Sequence, residues 1–120
     1  MEKLTPQEED ALQAVYISGE GNLKSFLENI PDPKLPYTTL ASTIKNLEKK
    51  GYLTSRLVGN AYLYSPAITS EEYKKGFMKG VVKNYFDNSY KNLVNFFVQQ
   101  KNLSAKELKE IIDLIEKKSK

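Results

Sequence analysis

The segment 36–66 constrains the fold of this chain more than any other, because it predicts one amphipathic helix followed at once by a hairpin. Leu40, Ile44 and Leu47 recur at helical spacing, so they are predicted to share one buried face. Gly51 follows at the position where glycine commonly ends a helix. The segment therefore begins with a helix that packs on a core through a single side.

Two short strand-like runs come after this helix, from 52 to 58 and from 61 to 65. Gly59-Asn60 separates them, and such a two-residue turn is typical of a β-hairpin. A polar helix followed by a hairpin is typical of a winged helix-turn-helix domain, in which the helix enters the major groove of DNA and the hairpin, or wing, lies along the flanking backbone. We therefore predict a mainly α fold with a small β-hairpin wing.

The outer face of the predicted helix carries small hydrogen-bonding and basic side chains and no carboxylate. Such side chains can contact phosphates and base edges. Together with two hairpin residues they form the predicted DNA-binding set: Tyr37, Thr38, Thr39, Ser42, Lys45, Asn46, Lys49, Arg56 and Asn60. Within this set, Ser42 and Asn46 are predicted to read bases, whereas Lys49 and Arg56 are predicted to contact phosphates.

Each kind of contact in the DNA-binding set has a purely structural alternative. Thr38 and Thr39 could cap the helix, because threonine is common at helix starts. Lys49 could complement the dipole at the helix C-terminus. Arg56 and Asn60 could be ordinary hairpin residues. The sequence alone leaves these alternatives open.

Charge is distributed unevenly along the chain, although the net charge is only +3. Residues 1–33 carry two lysines against seven acids, whereas residues 34–66 carry five cations against one acid. Residues 67–120 carry eleven lysines against seven acids. Positive charge is thus concentrated on the helix–hairpin segment and the last third, as binding to phosphates requires.

The chain contains neither cysteine nor histidine, which excludes disulfides, soft metal sites and the commonest nucleophile–base pairs. We therefore predict a protein that is not an enzyme, with no catalytic residues, no metal site and no cofactor. The sequence has neither a long apolar run nor a signal-peptide core, so we expect a cytoplasmic protein without membrane insertion. A winged-helix module that binds proteins instead of DNA is the alternative function.

Two helices are predicted before the amphipathic helix of the segment 36–66, which we call the reading helix. Thr5 to Glu8 form a capping box that starts the first helix, which runs to residue 18 or 19. A shorter helix carries Leu23 to Ile30 at helical spacing and ends before Pro31. In the hairpin, four residues are predicted to cover the core: Leu53, Leu57, Leu63 and Tyr64.

Three further helices are predicted after Pro66, over about 69–87, 90–100 and 104–116. They carry more apolar surface than about fifty residues can bury alone, and a symmetric homodimer would cover it. The predicted dimerisation residues are Tyr73, Phe77, Val81, Phe86, Leu93, Phe97, Leu108 and Ile112. We therefore divide the chain into a winged-helix DNA-binding domain at 1–66 and a helical dimerisation region at 67–120.

Several local strings resemble the penicillinase-repressor family of bacterial transcriptional regulators, and the resemblance runs from Leu4 to about Glu116. The strings are 37–39, 47–53, 61–66, 70–73 and 103–108. The resemblance implies a homodimeric repressor that binds inverted-repeat operators on double-stranded DNA through the third helix and the wing. The resemblance also suggests that the protein controls genes of the β-lactam-resistance type, with a membrane sensor protease as a candidate partner.

The sequence departs from the family pattern in three respects. Many members have arginine where this chain has Asn46, which points to a different operator because asparagine prefers adenine edges. Antibiotic-responsive members are cut at an Asn-Phe bond, where this chain aligns Phe96-Phe97 and places Asn95-Phe96 one residue earlier. Both bonds are candidate cleavage sites. Copper-responsive relatives carry a cysteine cluster that is absent here.

Overall fold

The computed structural model describes residues 2–31 and 35–118. Its elements are α1 (Pro6–Ser18), α2 (Leu23–Leu27), α3 (Tyr37–Lys49), β1 (Leu53–Val58), β2 (Ala61–Pro66), α4 (Ser70–Tyr85), α5 (Tyr90–Gln99) and α6 (Ala105–Lys118). The predicted fold class, mainly helical with one antiparallel hairpin, is confirmed. Over the two described ranges, no helix is both long enough and apolar enough to traverse a bilayer.

The chain divides into two compact units, Met1–Tyr73 and Lys74–Lys120. The first unit contains the three-helix core and the hairpin, in the element order of a winged helix-turn-helix. The second contains most of α4, together with α5 and α6. The functional division predicted at residue 66, with dimerisation beyond it, stays a prediction.

The capping box predicted at the start of α1 is present. The Thr5 amide donates to Glu8 Oε1 at 2.9 Å, and the Glu8 amide donates to Thr5 Oγ1 at 3.2 Å. Pro6 occupies the first turn, where its missing N–H costs nothing. Leu12 and Val15 are fully buried, so α1 packs on the core through the side that carries them.

Helix α2 is shorter than predicted, because it ends at Leu27. The Asn29 and Ile30 amides donate to the carbonyls of the third residue before each, at 2.9 and 3.3 Å, so the chain tightens into turns there. Proline at position 31 disfavours helical geometry in the residue before it. Ile30 is nevertheless buried, so its predicted place in the core is confirmed.

The predicted amphipathicity of α3 is confirmed, since Leu40, Ile44 and Leu47 are fully buried. The helix ends as a glycine-terminated helix should. Gly51 has a φ of 88°, and the Tyr52 amide donates to the Leu47 carbonyl at 3.0 Å.

The hairpin pairs Leu53 with Pro66 and Val58 with Ala61, with Gly59 in the left-handed region of the turn. Leu53 and Tyr64 are buried as predicted. The core role predicted for Leu57 is wrong, because its side chain is 60% exposed. It shares the alternating face of Leu53 but lies four residues farther along the strand, about 13 Å toward the tip.

The core of the first unit draws on α1, α2, α3 and the hairpin. Its buried apolar side chains are Leu4, Ala11, Leu12, Ala14, Val15, Phe26, Ile30, Leu40, Ile44, Leu47, Tyr52, Leu53 and Tyr64. The hydroxyl of Tyr52 also donates to the Glu2 carbonyl at 2.7 Å, and that of Tyr16 to the Ile68 carbonyl at 3.1 Å. These bonds attach both flanking segments to the core.

Short connections separate the helices of the second unit. Asp87 and Asn88 both adopt positive φ between α4 and α5, and the Asn88 amide donates to the Val82 carbonyl at 2.9 Å. Asparagine and aspartate tolerate this conformation better than most residues. Ser104 caps α6 in another capping box, in which the Glu107 amide donates to Ser104 Oγ at 3.1 Å and the Ser104 amide donates to Glu107 Oε1 at 3.3 Å.

Candidate nucleic-acid interface

The surface predicted to enter the major groove is the solvent-exposed side of α3. Tyr37, Thr38, Ser42, Lys45, Asn46 and Lys49 are exposed, and Thr39 is half-buried. The exposed residues of α3 include no acid. The capping alternative for Thr38 and Thr39 is wrong, because Pro36 occupies the cap position and no side chain caps the helix. Both threonines belong to the helix itself.

Two hydroxyls of α3 bond back to their own helix. Ser42 Oγ donates to the Thr39 carbonyl at 3.0 Å, and Thr43 Oγ1 donates to the same carbonyl at 2.8 Å. Thr43 is buried, so its polar atom is satisfied inside the core. Ser42 is exposed, and its oxygen retains lone pairs that can accept from a base amino group.

The acid of α3 lies apart from the exposed face. Glu48 is half-buried and accepts a short hydrogen bond from the Ser55 hydroxyl. This bond joins the last turn of α3 to β1. Consequently Glu48 stabilises the position of the wing relative to the helix and does not add a carboxylate among the exposed side chains of α3.

Lys50 is used for internal structure, although the sequence counts it with the basic segment. Its Nζ lies 2.6 Å from Glu8 Oε1 and donates to the Lys3 carbonyl at 3.2 Å. Burial acts to raise the pKa of Glu8, but the hydrogen bonds from Lys50 and Thr5 outweigh it and hold that pKa below its ordinary value. Lys45 and Lys49 are therefore the exposed cations of α3.

The wing presents one cation, and that cation has an acidic partner. Arg56 donates from Nε and Nη2 to the two oxygens of Glu20, at 3.0 and 2.7 Å. The hydrogen bond from Arg56 is the main reason why the pKa of Glu20 lies below its ordinary value, and Ser65 adds to it. Sequence reasoning missed Glu20, because 36 residues separate it from Arg56. Asn60 is exposed in the turn, as predicted.

The tip of the wing is more apolar than predicted. Leu57 and Tyr62 are directly opposite each other in the register and are 60% and 56% exposed. Tyr62 shares the face of Tyr64, which lies two residues along β2, and it is exposed because it lies nearer the tip of the hairpin. Alternation places both Leu57 and Tyr62 on the face that covers the core, so it could not identify either of them as a surface residue.

The residues predicted to dimerise fall into three environments. Tyr73 packs inside the first unit, with its ring 6.0 Å from that of Tyr52 and 6.4 Å from that of Tyr16. Phe77, Phe97 and Ile112 are exposed. The remaining four, Val81, Phe86, Leu93 and Leu108, are half-buried.

The described part of the second unit exposes most of its apolar surface. Val82 is the one fully buried hydrophobic side chain described there. The large apolar side chains that face solvent are Phe77, Met78, Tyr85, Tyr90, Val94, Phe96, Phe97, Val98, Ile111, Ile112 and Leu114. An exposed apolar surface of this kind is typical of an interaction site.

Both candidate cleavage bonds lie within α5. Asn95, Phe96 and Phe97 are all exposed, and α5 contains no buried residue. The Phe96 ring contacts those of Phe86 and Phe97 edge to face, at 5.6 and 5.7 Å. The bonds are accessible on the surface of the chain, but their backbone is helical.

A family model described as penicillinase repressor matches residues 4–117. The chain belongs to the penicillinase repressor family. The expected resemblance is thereby confirmed over nearly the whole chain, and the chain is a DNA-binding transcriptional regulator. Among the described residues, no group of three or more potential metal ligands comes together.

Solved structures of two bacterial regulators are similar to this chain. The Bordetella bronchiseptica regulator BpsR, whose DNA binding is regulated by 6-hydroxynicotinic acid, has 18% identity and a TM-score of 0.49, over 98% of this chain and 76% of that one. A transcriptional regulator from Thermotoga maritima has 22% identity and a TM-score of 0.43, over 91% and 76%. No curated protein matches the sequence significantly.

Proposed function

We propose that this protein represses transcription by binding an inverted-repeat operator as a homodimer, with α3 in the major groove and the wing along the backbone. One observation carries the proposal: α3 is fully buried on its apolar side and exposes only uncharged and basic residues on the other. A surface without carboxylates can approach phosphates without repulsion. The basic side chains Lys45 and Lys49 then supply attraction that does not depend on sequence.

The homodimer is supported by the exposed apolar surface of α4, α5 and α6. A two-fold interface covers such a surface with a second copy of the same surface, and it places two reading helices on the two half-sites of a palindrome. Two half-sites bound together multiply the affinity of one. Loss of the residues after Pro66 should therefore weaken operator binding strongly.

The experiment begins with DNA fragments of the source genome, selected by their binding to the full-length protein. Titrations of a selected fragment at increasing salt should show a steep loss of affinity, while sedimentation at micromolar concentration should show a dimer. A DNA affinity that does not change with salt concentration would favour the alternative function, a module that binds proteins. A full-length chain that sediments as a monomer would refute the homodimer.

For release of the operator, the proposal is cleavage in α5 at Asn95-Phe96 or Phe96-Phe97, under control of a β-lactam-responsive membrane sensor protease. A protease needs an extended substrate, so α5 must open locally first. Within one chain α5 has no buried side chain, so the contact with the partner subunit is what resists that opening. The test is the size of the protein in its native cells before and after exposure to a β-lactam. Operator release with the chain still full length would exclude cleavage and point to another signal.

A further inference from the structure

The turn between α1 and α2 pairs with β2 through a single antiparallel bridge, so it adds a short third segment to the wing sheet. The Gly21 amide donates to the Tyr64 carbonyl at 3.1 Å, and the Tyr64 amide donates to the Gly21 carbonyl at 2.8 Å. This bridge is antiparallel, so the residue before Gly21 lies opposite the residue after Tyr64. Glu20 is therefore placed beside Ser65 by backbone hydrogen bonds.

From this position Glu20 binds the guanidinium of Arg56 at two points. Nε and Nη2 of Arg56 donate to the two carboxylate oxygens, at 3.0 and 2.7 Å, and Ser65 Oγ donates to Oε2 at 3.2 Å. A bidentate pair of this kind is the same arrangement that arginine makes with a phosphate. The carboxylate thus occupies the Nε–Nη2 edge of the guanidinium, which is one of the two edges that can hold a phosphate at two points.

Arg56 is the one arginine in the chain, and the segment 52–66 contains no lysine. The pair with Glu20 consequently neutralises the single cation that the wing can offer to DNA. The side chain of Arg56 is 61% exposed and that of Glu20 is 37% exposed, so DNA can reach the pair and solvent weakens it. A pair that is weak and accessible can be exchanged for a phosphate.

We propose that Glu20 competes with DNA phosphates for Arg56 and thereby limits the contribution of the wing to DNA binding. This inference rests on the proposed function, because it requires Arg56 to contact DNA. In the complex, Arg56 exchanges the carboxylate for a phosphate, and the carboxylate remains nearby as a repulsive charge. Removal of that charge alone should strengthen binding.

The test compares four full-length proteins: the unchanged chain, Glu20→Gln, Arg56→Gln and the double variant. Each is titrated by fluorescence anisotropy against one random-sequence duplex over a range of salt concentrations. Thermal unfolding of each protein provides the control for folding. Because the residues are exposed, we expect all four to fold.

Glu20→Gln should raise affinity and steepen the salt dependence by up to about one unit for each wing that touches DNA. With a slope change of about 0.9, lowering the salt from 1 M to 0.1 M should raise the affinity of the variant about eightfold more than that of the unchanged chain. In the Arg56→Gln background, the Glu20 substitution should have little effect. Such dependence on Arg56 separates competition from a general loss of negative charge.

Three results would overturn the inference while leaving the proposed function intact. An unchanged affinity would mean that the pair does not resist DNA, and a weaker affinity would mean that Glu20 positions Arg56 for its contact. An equal gain in both backgrounds would mean that only net charge matters. If none of the four proteins bound DNA, the proposed function itself would fail.

Discussion

The ion pair between Glu8 and Lys50 is predicted to stabilise the first unit by tying the start of α1 to the residue that follows α3. Glu8→Gln keeps an oxygen that can accept from the Thr5 amide but removes the charge that faces Lys50 Nζ at 2.6 Å. Hydrogen bonds to charged groups contribute about 1 kcal/mol more than neutral ones. The side chain of Glu8 is only 6% exposed, so hydrogen bonds to water can compensate for little of this loss. We expect a destabilisation of about 1 kcal/mol.

Glu8→Ala should cost more, because it also removes the acceptor of the capping box. Thr5 still caps the helix, but its amide loses a hydrogen bond worth about 1 kcal/mol, so the total is about 2 kcal/mol. The assay is thermal and urea unfolding of each variant. In thermal unfolding, a loss of 1 kcal/mol lowers the melting temperature of a domain of this size by about 4–8 °C. Asp10→Asn, an exposed acid in the same helix, is the control and should stay within about 0.5 kcal/mol.

The pH dependence of this stabilisation has a definite sign. Burial opposes ionisation of Glu8, but the bonds from Lys50 and Thr5 win, and the folded pKa lies below the ordinary value. The contribution is therefore present in full above the unfolded pKa and is lost as pH falls through the folded pKa. The stability gap to Glu8→Gln should close in acid. A gap that is absent at neutral pH, or that widens in acid, would refute this reasoning.

Four further predictions follow from the geometry. Lys49→Ala should weaken binding to all duplexes alike and flatten the salt dependence by about one unit, whereas Asn46→Ala should change the preference among operator variants; uniform losses in both would contradict this division. Gly21→Ala should cost about 1 kcal/mol in urea unfolding, because its Cβ would lie 2.5 Å from Ser25 Oγ, and adding Ser25→Ala should recover part of the loss. Leu57→Ser should leave the free energy of unfolding almost unchanged, whereas Leu53→Ala should lower it by about 2–4 kcal/mol; equal losses would place Leu57 in the core after all. Truncation after Pro66 should convert a dimer to a monomer in sedimentation, and a truncated protein that still dimerised would place the interface in the first unit.

Local and short-range features of this fold were predictable from the sequence. The spacing of Leu40, Ile44 and Leu47 identified both α3 and its buried face, because helical periodicity requires no knowledge of the partner surface. Thr5 and Glu8 predicted the start of α1, since a capping box closes within one turn. Gly59-Asn60 likewise predicted the hairpin, because a two-residue turn is a local signal.

Long-range contacts were decided only by the tertiary structure. Alternation gave Leu57 the same face as Leu53, but only the position of the helices shows where the core ends along the strand. Lys50 and Arg56 were counted as cations available to DNA, yet each is paired with an acid 42 and 36 residues earlier in the chain. Sequence patterns report which face a side chain occupies because that depends on local geometry, whereas its partner depends on how distant segments pack.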